Sequence, residues 1–230
     1  MDRKVLAKVF DRPTLMNIHA LFNRGVFRNF GGPVADGKEA RVFTAYNDET
    51  LAVKVYKVEA GTFKMIHRYM QGDPRFRTTG SKRTLVNSWV RKEFGNLKRL
   101  YGAGVSVPRP YAFHGNVLVM QFIGEESPAP LIKDVKLRRP KKTLVSIVED
   151  LAKAYNLARI VHADLSEYNI LMWKGKHYLI DVGQAVDTKH PHAREWLERD
   201  VRNLCKFFSR WVSANPEELL KIIYRRKGSG

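Results

Sequence analysis

One cysteine, Cys205, stands in 230 residues, so no intramolecular disulfide framework can staple this chain and no disulfide partner is expected. Apolar runs are short. None reaches the ~20 residues that a spanning helix needs, and the opening MDRKVLAKVFDRP has no apolar signal-peptide core. These scarcities point to a cytoplasmic protein with no membrane partner. Acidic residues are also few, 23 against 41 basic, which leaves a formal charge of +18. That balance disfavours cationic substrates and favours an anionic partner such as nucleic acid. Internal repeats are absent too. Hydrophobic content of 44% is nevertheless ordinary, enough for one two-lobed domain or two small ones.

The positive charge is clustered. Lys133, Lys136, Arg138, Arg139, Lys141 and Lys142 fall within ten residues. Arg75, Arg77, Lys82 and Arg83 form a second group, and Arg225, Arg226 and Lys227 a third. None of these runs is interleaved with aromatics, so contact with a phosphate backbone is expected rather than base stacking.

Hydrophobic periodicity divides the chain. Leu15, Ile18 and Phe22 predict a helix after Pro13-Thr14. Residues 40–46 and 51–56 read as strands around Asn47-Asp48-Glu49, with Leu51, Val53 and Val55 on one face and Ala52, Lys54 and Tyr56 on the other. A lysine among apolar residues in mid-strand needs a partner for its charge. Glu93, flanking the stripe Val90, Phe94, Leu97 and Tyr101, is the candidate. Phe63, Ile66 and Met70 suggest a short helix, and the polar stretch from Arg75 to Lys82 a mobile loop. Val117 to Ile123 is a buried-type strand, and Gln121 to Gly124 the expected hinge. Two long amphipathic helices follow, through Leu144, Ile147, Leu151 and Tyr155 and through Leu197, Val201, Leu204 and Phe208. Strands plus one helix, then mostly helices, predict an α+β fold of two lobes: residues 1–122 a β-rich N-lobe, residues 123–230 a mainly helical C-lobe.

The chemistry concentrates around residues 162–181. Ile170–Trp173 and Tyr178–Ile180 are short apolar runs around Lys174-Gly175-Lys176, a hairpin pattern. Asn169 and Asp181 are equidistant from Gly175, which predicts that an amide oxygen and a carboxylate face each other at the open end. Such hard oxygens suit Mg²⁺. The segment entering the hairpin, His162 to Asn169 (HADLSEYN), resembles the catalytic loop of protein kinases, H-x-D-x-x-x-x-N, and Asp181 the metal-binding Asp that follows it. In that pattern Asp164 accepts a proton from, or orients, an incoming hydroxyl.

More of the chain carries the resemblance. FDRPTL at Phe10, GKEARVF at Gly37, AVKVYK at Ala52, FKMIHRYMQGDPRF at Phe63, RKEFGNLKRL at Arg91, VPRPYAFHGNVLVMQFIG at Val107 and YLIDVGQAVDTKHPHA at Tyr178 resemble the RIO family of atypical serine/threonine protein kinases, in its Rio-one branch and of archaeal type. The second branch carries an N-terminal winged helix for which there is no room before Phe10. The resemblance implies a two-lobed protein-kinase-like fold without a conventional activation segment. It implies ATP and Mg²⁺ (or Mn²⁺) as cofactors. Lys54 would contact phosphates and pair with Glu93, and Asp164 would be the catalytic aspartate. Asn169 and Asp181 would bind metal, and Asp181 could also take phosphate as an aspartyl-phosphate. Nucleotide contacts would come from Ala35, Gly37, Lys38, Ala52, Met120, Gln121, Ile123 and Glu167. The implied role is an ATP-dependent serine kinase or ATPase, autophosphorylating, in maturation of the small ribosomal subunit, with the pre-small-subunit particle and its rRNA as partners. The alternative is a nucleotide-switched basic rRNA-binding module with little protein-kinase turnover. A small-molecule phosphotransferase is disfavoured by the lack of an acidic pocket. Two departures stand out: Ala35-Asp36 replaces Ser-Thr before Gly37, and Gly183 replaces a serine. A carboxylate at Asp36 is expected to weaken nucleotide binding unless it points away.

Overall fold

A computed structural model describes residues 9–58, 66 and 81–225. The predicted short helix at 63–70 and the loop at 75–80 lie outside these residues, apart from the buried Ile66. The chain divides into two compact units. Of the described residues, one holds 9–58, 66, 81–95 and 109–128, and the other 96–108 and 129–225.

In the first unit, helix α1 (Arg12–Asn23) is capped by the Asp11 carboxylate, which accepts from Thr14 N–H at 2.9 Å. Its buried stripe is Thr14, Ile18 and Leu21; Phe22, expected inward, is exposed. Strands β1 (Asn29–Asp36), β2 (Ala40–Tyr46), β3 (Thr50–Tyr56), β4 (Pro110–His114) and β5 (Val117–Gln121) form one antiparallel sheet in the order β1-β2-β3-β5-β4. Alternation along β3 sends Leu51, Val53 and Val55 into a core with Ile18, Leu21, Phe27 and Phe43. Each such buried side chain contributes roughly 1.5–3 kcal/mol. Buried Asn116 ties the layers together by donating to Thr14 Oγ1 at 3.0 Å and to the Tyr56 carbonyl at 2.8 Å. Helix α2 (Lys82–Gly102) begins earlier than the pattern predicts. Its buried face runs through Val86, Trp89, Val90, Glu93, Asn96, Leu97 and Leu100, so Glu93 lies on the inward stripe rather than its flank. The division between the two units falls within α2, after Gly95.

The second unit is built on α3 (Pro140–Asn156), α4 (Ala193–Phe208) and α5 (Pro216–Tyr224), with Asn215 capping α5 through Glu217 N–H. Two short ribbons sit among them, β6 (Ile160–Val161) with β9 (Val186–Asp187) and β7 (Ile170–Trp173) with β8 (Lys176–Leu179). Only residues 182–192 separate Asp181 from α4, as expected for a fold without a long activation segment. Among the described residues no helix is long and apolar enough to cross a membrane.

A buried polar knot fastens the β7–β8 hairpin to α3. Asp150 accepts from Ser106 N–H at 2.8 Å, pairs with His177 Nε2 at 3.0 Å and meets Lys153 at 2.8 Å. Burial alone would raise the Asp150 carboxyl, yet His177, Lys153 and Ser106 together hold it well below the usual carboxylate range. A depressed folded value means the stabilisation is present above the unfolded carboxyl value of about 3.9 and is lost as pH falls through the folded one. Asp150→Ala is therefore expected to cost about 3–5 kcal/mol at neutral pH in urea unfolding. The gap to the wild type should narrow below about pH 4; a gap that stays constant down to low pH would contradict this role.

Candidate active site

On the first unit the reactive features share one face of the sheet. Lys54 leaves β3 on the side opposite the core and reaches Glu93 on α2 at 2.9 Å. Both are buried. Tyr56, two residues on and so on the same face, donates its hydroxyl to the other oxygen of Glu93, and the Lys54 ammonium lies 5.0 Å from the Tyr56 ring centroid. The carboxylate thus offsets the cost of burying the ammonium. Ala52 faces Met120 across the β3–β5 ladder, on the same side as Lys54. Beyond Met120, Gln121 already donates its N–H to the Arg109 carbonyl at 2.8 Å, so that N–H is engaged within the protein. Ile123 is buried.

The turn before β2 answers the question raised by Asp36. Its carboxylate meets Lys57 at 2.9 Å and Arg41 at 3.1 Å, and Lys57 also donates to the Gly37 carbonyl at 2.8 Å. Hydrogen bonding from Lys57, with Arg41 beside it, holds the Asp36 carboxyl below the ordinary range. Asp36 is thus neutralised within the turn. Ala35, Gly37 and Lys38 around it are exposed.

On the second unit, the loop between β6 and β7 is held from beneath. Asp200 on α4, fully buried, accepts from the N–H groups of Ala163 at 2.8 Å and Leu165 at 2.9 Å, bracketing Asp164. Burial pushes Asp200 up to about 7, against those two donors. Arg199 donates to the Ala163 carbonyl and Asn203 to that of Leu165 at 3.0 Å. These contacts fix Ala163 at φ 65°, a left-handed conformation costly for a residue with a Cβ. His162 bonds the Ile180 carbonyl through Nε2 at 3.0 Å, and burial lowers its pKa, so the ring is neutral with its proton on Nε2.

Asn169 donates its side-chain nitrogen to the Asp164 carbonyl at 2.7 Å, which leaves the amide oxygen as its acceptor end. The hairpin register corrects the sequence expectation by one residue. Trp173 pairs with Lys176 across a two-residue turn, Lys174-Gly175, with φ 47° and 78°. Such tight turns match the natural twist of paired strands. Asn169 therefore lies opposite Ile180, whose N–H it accepts at 3.0 Å, and Asp181 comes one residue later. Asp181 has φ 57°. The loop after it is gripped by Asn96, buried in α2, which donates to the carbonyls of Val182 at 2.8 Å and Ala185 at 2.9 Å. Burial, with the Asp181 charge acting in the same direction and Arg199 against it, raises the Asp164 carboxyl above the usual range. Glu167 is partly exposed in the same loop.

Four functional residues escaped the sequence reading: Tyr56, Asn96, Arg199 and Asp200. A signal existed for two. Asp200 interrupts the stripe Leu197, Val201, Leu204, Phe208, and Asn96 stands one turn after Glu93. A buried polar residue on an apolar stripe has a partner to find.

A RIO domain model matches residues 41–219. The chain belongs to the RIO family. It is 43% identical to the RIO-type serine/threonine-protein kinase Rio1 of Haloferax volcanii, over 98% of this chain and 79% of that one. It is 40% identical to the human serine/threonine-protein kinase RIO1 over 91% of this chain, but spans only 38% of that protein. Among solved structures, the Rio2 kinase–ADP/Mg²⁺–phosphoaspartate complex from Chaetomium thermophilum matches with a TM-score of 0.70 at 24% identity, covering 92% of this chain and 66% of that one. The RIO chain therefore has the α+β protein-kinase-like fold. The donor chemistry present is compatible with a metal nucleotide: the Asn169 amide oxygen and the Asp181 carboxylate are hard oxygens of the kind Mg²⁺ takes, and such an ion would keep its other positions for phosphate and water.

Two substitutions test this geometry. Glu93→Ala strands the buried Lys54 ammonium and should cost about 3–5 kcal/mol by thermal or urea unfolding. Asp200→Ala releases two buried N–H groups and should cost about 2–5 kcal/mol, with faster amide exchange at Ala163 and Leu165 as its specific sign. Unchanged exchange there would refute the anchoring role.

Proposed function

We propose that this RIO chain is an ATP-dependent serine kinase and ATPase that autophosphorylates and acts on the pre-small-ribosomal-subunit particle. The observation that carries the enzymatic reading is the Asn169-to-Asp164 bond, which ties the base and a metal ligand into one preorganised loop. Family membership and the names of the Rio1 relatives support the kinase assignment.

The roles follow from the contacts. Lys54, kept charged by Glu93, is a fixed cation for nucleotide phosphates. Asn169 and Asp181 would hold Mg²⁺, which neutralises phosphate charge when bound. Asp164 orients the attacking hydroxyl or water and takes its proton, and its raised pKa makes it a better proton acceptor than an exposed aspartate. Asp181 is also our candidate acceptor for an aspartyl-phosphate, the reading supported by the phosphoaspartate in the Rio2 complex. The main chain at Gln121 and Ile123 would receive adenine, with Ala52 and Met120 against it, and Ala35, Gly37 and Lys38 would cover the phosphates. The short passage from Asp181 to α4 offers little surface for a peptide, which favours autophosphorylation or ATP hydrolysis over peptide turnover.

A second reading, a basic rRNA-binding module switched by nucleotide, is favoured by the charge of +18 and by the exposed basic side chains of Lys136, Arg138, Arg139, Lys141 and Lys142. It predicts RNA binding that weakens with salt and changes with nucleotide.

Asp164→Ala should lower phosphate release and autophosphorylation from labelled ATP by about 10²–10⁴-fold. Retention of both would end the enzymatic account. For the wild type, the active base is the carboxylate, so activity is lost as pH falls through the raised Asp164 value. The acid limb of the kcat profile should lie above the ~3.9 of a free aspartate.

A further inference from the structure

The basic runs lack interleaved aromatics in sequence, but the fold supplies them. On the β7–β8 hairpin, Ile170, His177 and Leu179 point inward and are buried, while Leu171, Trp173, Lys176 and Tyr178 share the outer face. Each aromatic there has a lysine beside it. Lys174 lies 5.2 Å from the Trp173 ring centroid and Lys176 5.0 Å from that of Tyr178. A third pair, Lys133 and Tyr168 at 5.2 Å, involves the catalytic loop, where Tyr168 is 60% exposed. Lys133 is also paired with Asp134 at 2.8 Å, whereas among the described residues Lys174 and Lys176 have no carboxylate partner. Leu131 bridges to Leu171, and Met172 N–H donates to the Pro130 carbonyl at 2.9 Å. The segment leading into the run Lys136, Arg138, Arg139, Lys141 and Lys142 therefore lies along the edge of the same hairpin.

We propose that the outer face of the β7–β8 hairpin binds single-stranded RNA, with Trp173, Tyr178 and Tyr168 as stacking platforms and Lys174, Lys176 and the adjoining basic run as the phosphate track. The inference rests on the rRNA reading above and names its surface. Stacking platforms beside a positive track are what sequence-tolerant single-strand binders use. Trp173 and Tyr178 are diagonal neighbours, roughly 7–8 Å apart at the backbone, so successive bases can each take one ring. The lysines gain in the exchange: a base that covers the ring releases an ammonium to meet a phosphate, and base stacking is the stronger of the two ring contacts. An acidic protein segment would use the lysines but leave the rings unused.

The test uses the full chain with a labelled oligouridylate of about 12 nucleotides, within the range such sites cover, and an RNA duplex of similar length. Trp173→Leu/Tyr178→Leu should weaken single-strand binding by about 10–100-fold with an unchanged salt slope, and duplex binding far less. Lys174→Gln/Lys176→Gln should reduce the salt slope by about 1.4, from ~0.7 per phosphate contact. ATP hydrolysis should be unaffected by either pair. Single-strand affinity within twofold of wild type in the aromatic variant overturns the proposal, as does equal loss on duplex or displacement of RNA by polyglutamate at equal charge. Should the aromatic variant unfold, the lysine variant decides alone, since its changes are confined to exposed side chains, and an unchanged slope refutes the site. A wild type that binds no RNA at any salt sinks the rRNA reading itself, whereas wild-type binding indifferent to these four positions sinks only the surface assigned here.

Discussion

The Asp200 carboxylate underlies the reactive half of the second unit. It holds two consecutive-but-one N–H groups of the loop that carries Asp164, and without it Ala163 has no reason to remain in a left-handed conformation. The other contacts follow in sequence. Ala163 sets the direction of Asp164, Asp164 offers its carbonyl to Asn169, and Asn169 accepts the N–H of Ile180, which delivers the chain to Asp181. Non-glycine residues with positive φ occur at Arg159, Ala163, Lys174 and Asp181, within or beside this sequence of contacts. Strain of that kind persists only where surrounding bonds over-determine the backbone, and here the bonds can be named.

The first unit solves a different problem, a charge in a dry place. Lys54 is tolerable because Glu93 meets it and Tyr56 satisfies the second carboxylate oxygen. Strand alternation makes this possible: the residues that build the core and those that build the site are the same strand read at odd and even positions.

Much of this was legible in the chain itself. Period-two alternation in residues 51–56 puts Lys54 on the correct face, and Glu93 is the carboxylate that meets it, although from the buried stripe of the helix rather than its flank. HADLSEYN and Asp181 marked the loop and the hairpin. What could not be read was register and depth. A turn of Lys174-Gly175 and one of Lys174-Gly175-Lys176 are equally plausible from composition, and the difference moves Asp181 off the residue opposite Asn169. Phe22 looked buried and Leu21 did not stand out, because a helix with apolar residues at both positions leaves the choice to its packing partner. Asp200 and Asn96 stood out only as polar residues on apolar stripes; their partners are backbone groups, which leave no mark on the sequence.

The clasp of Asp36 by Lys57 and Arg41 has an outcome for solution behaviour. These are partly exposed surface ion pairs, a kind that added salt weakens. The glycine-bearing turn should be tightest in dilute buffer and loosen as electrolyte is added, before any nucleotide arrives. Electrolyte sensitivity of ATP affinity in this chain would then have an origin in the protein's own turn, separate from competition between anions for its positive surface.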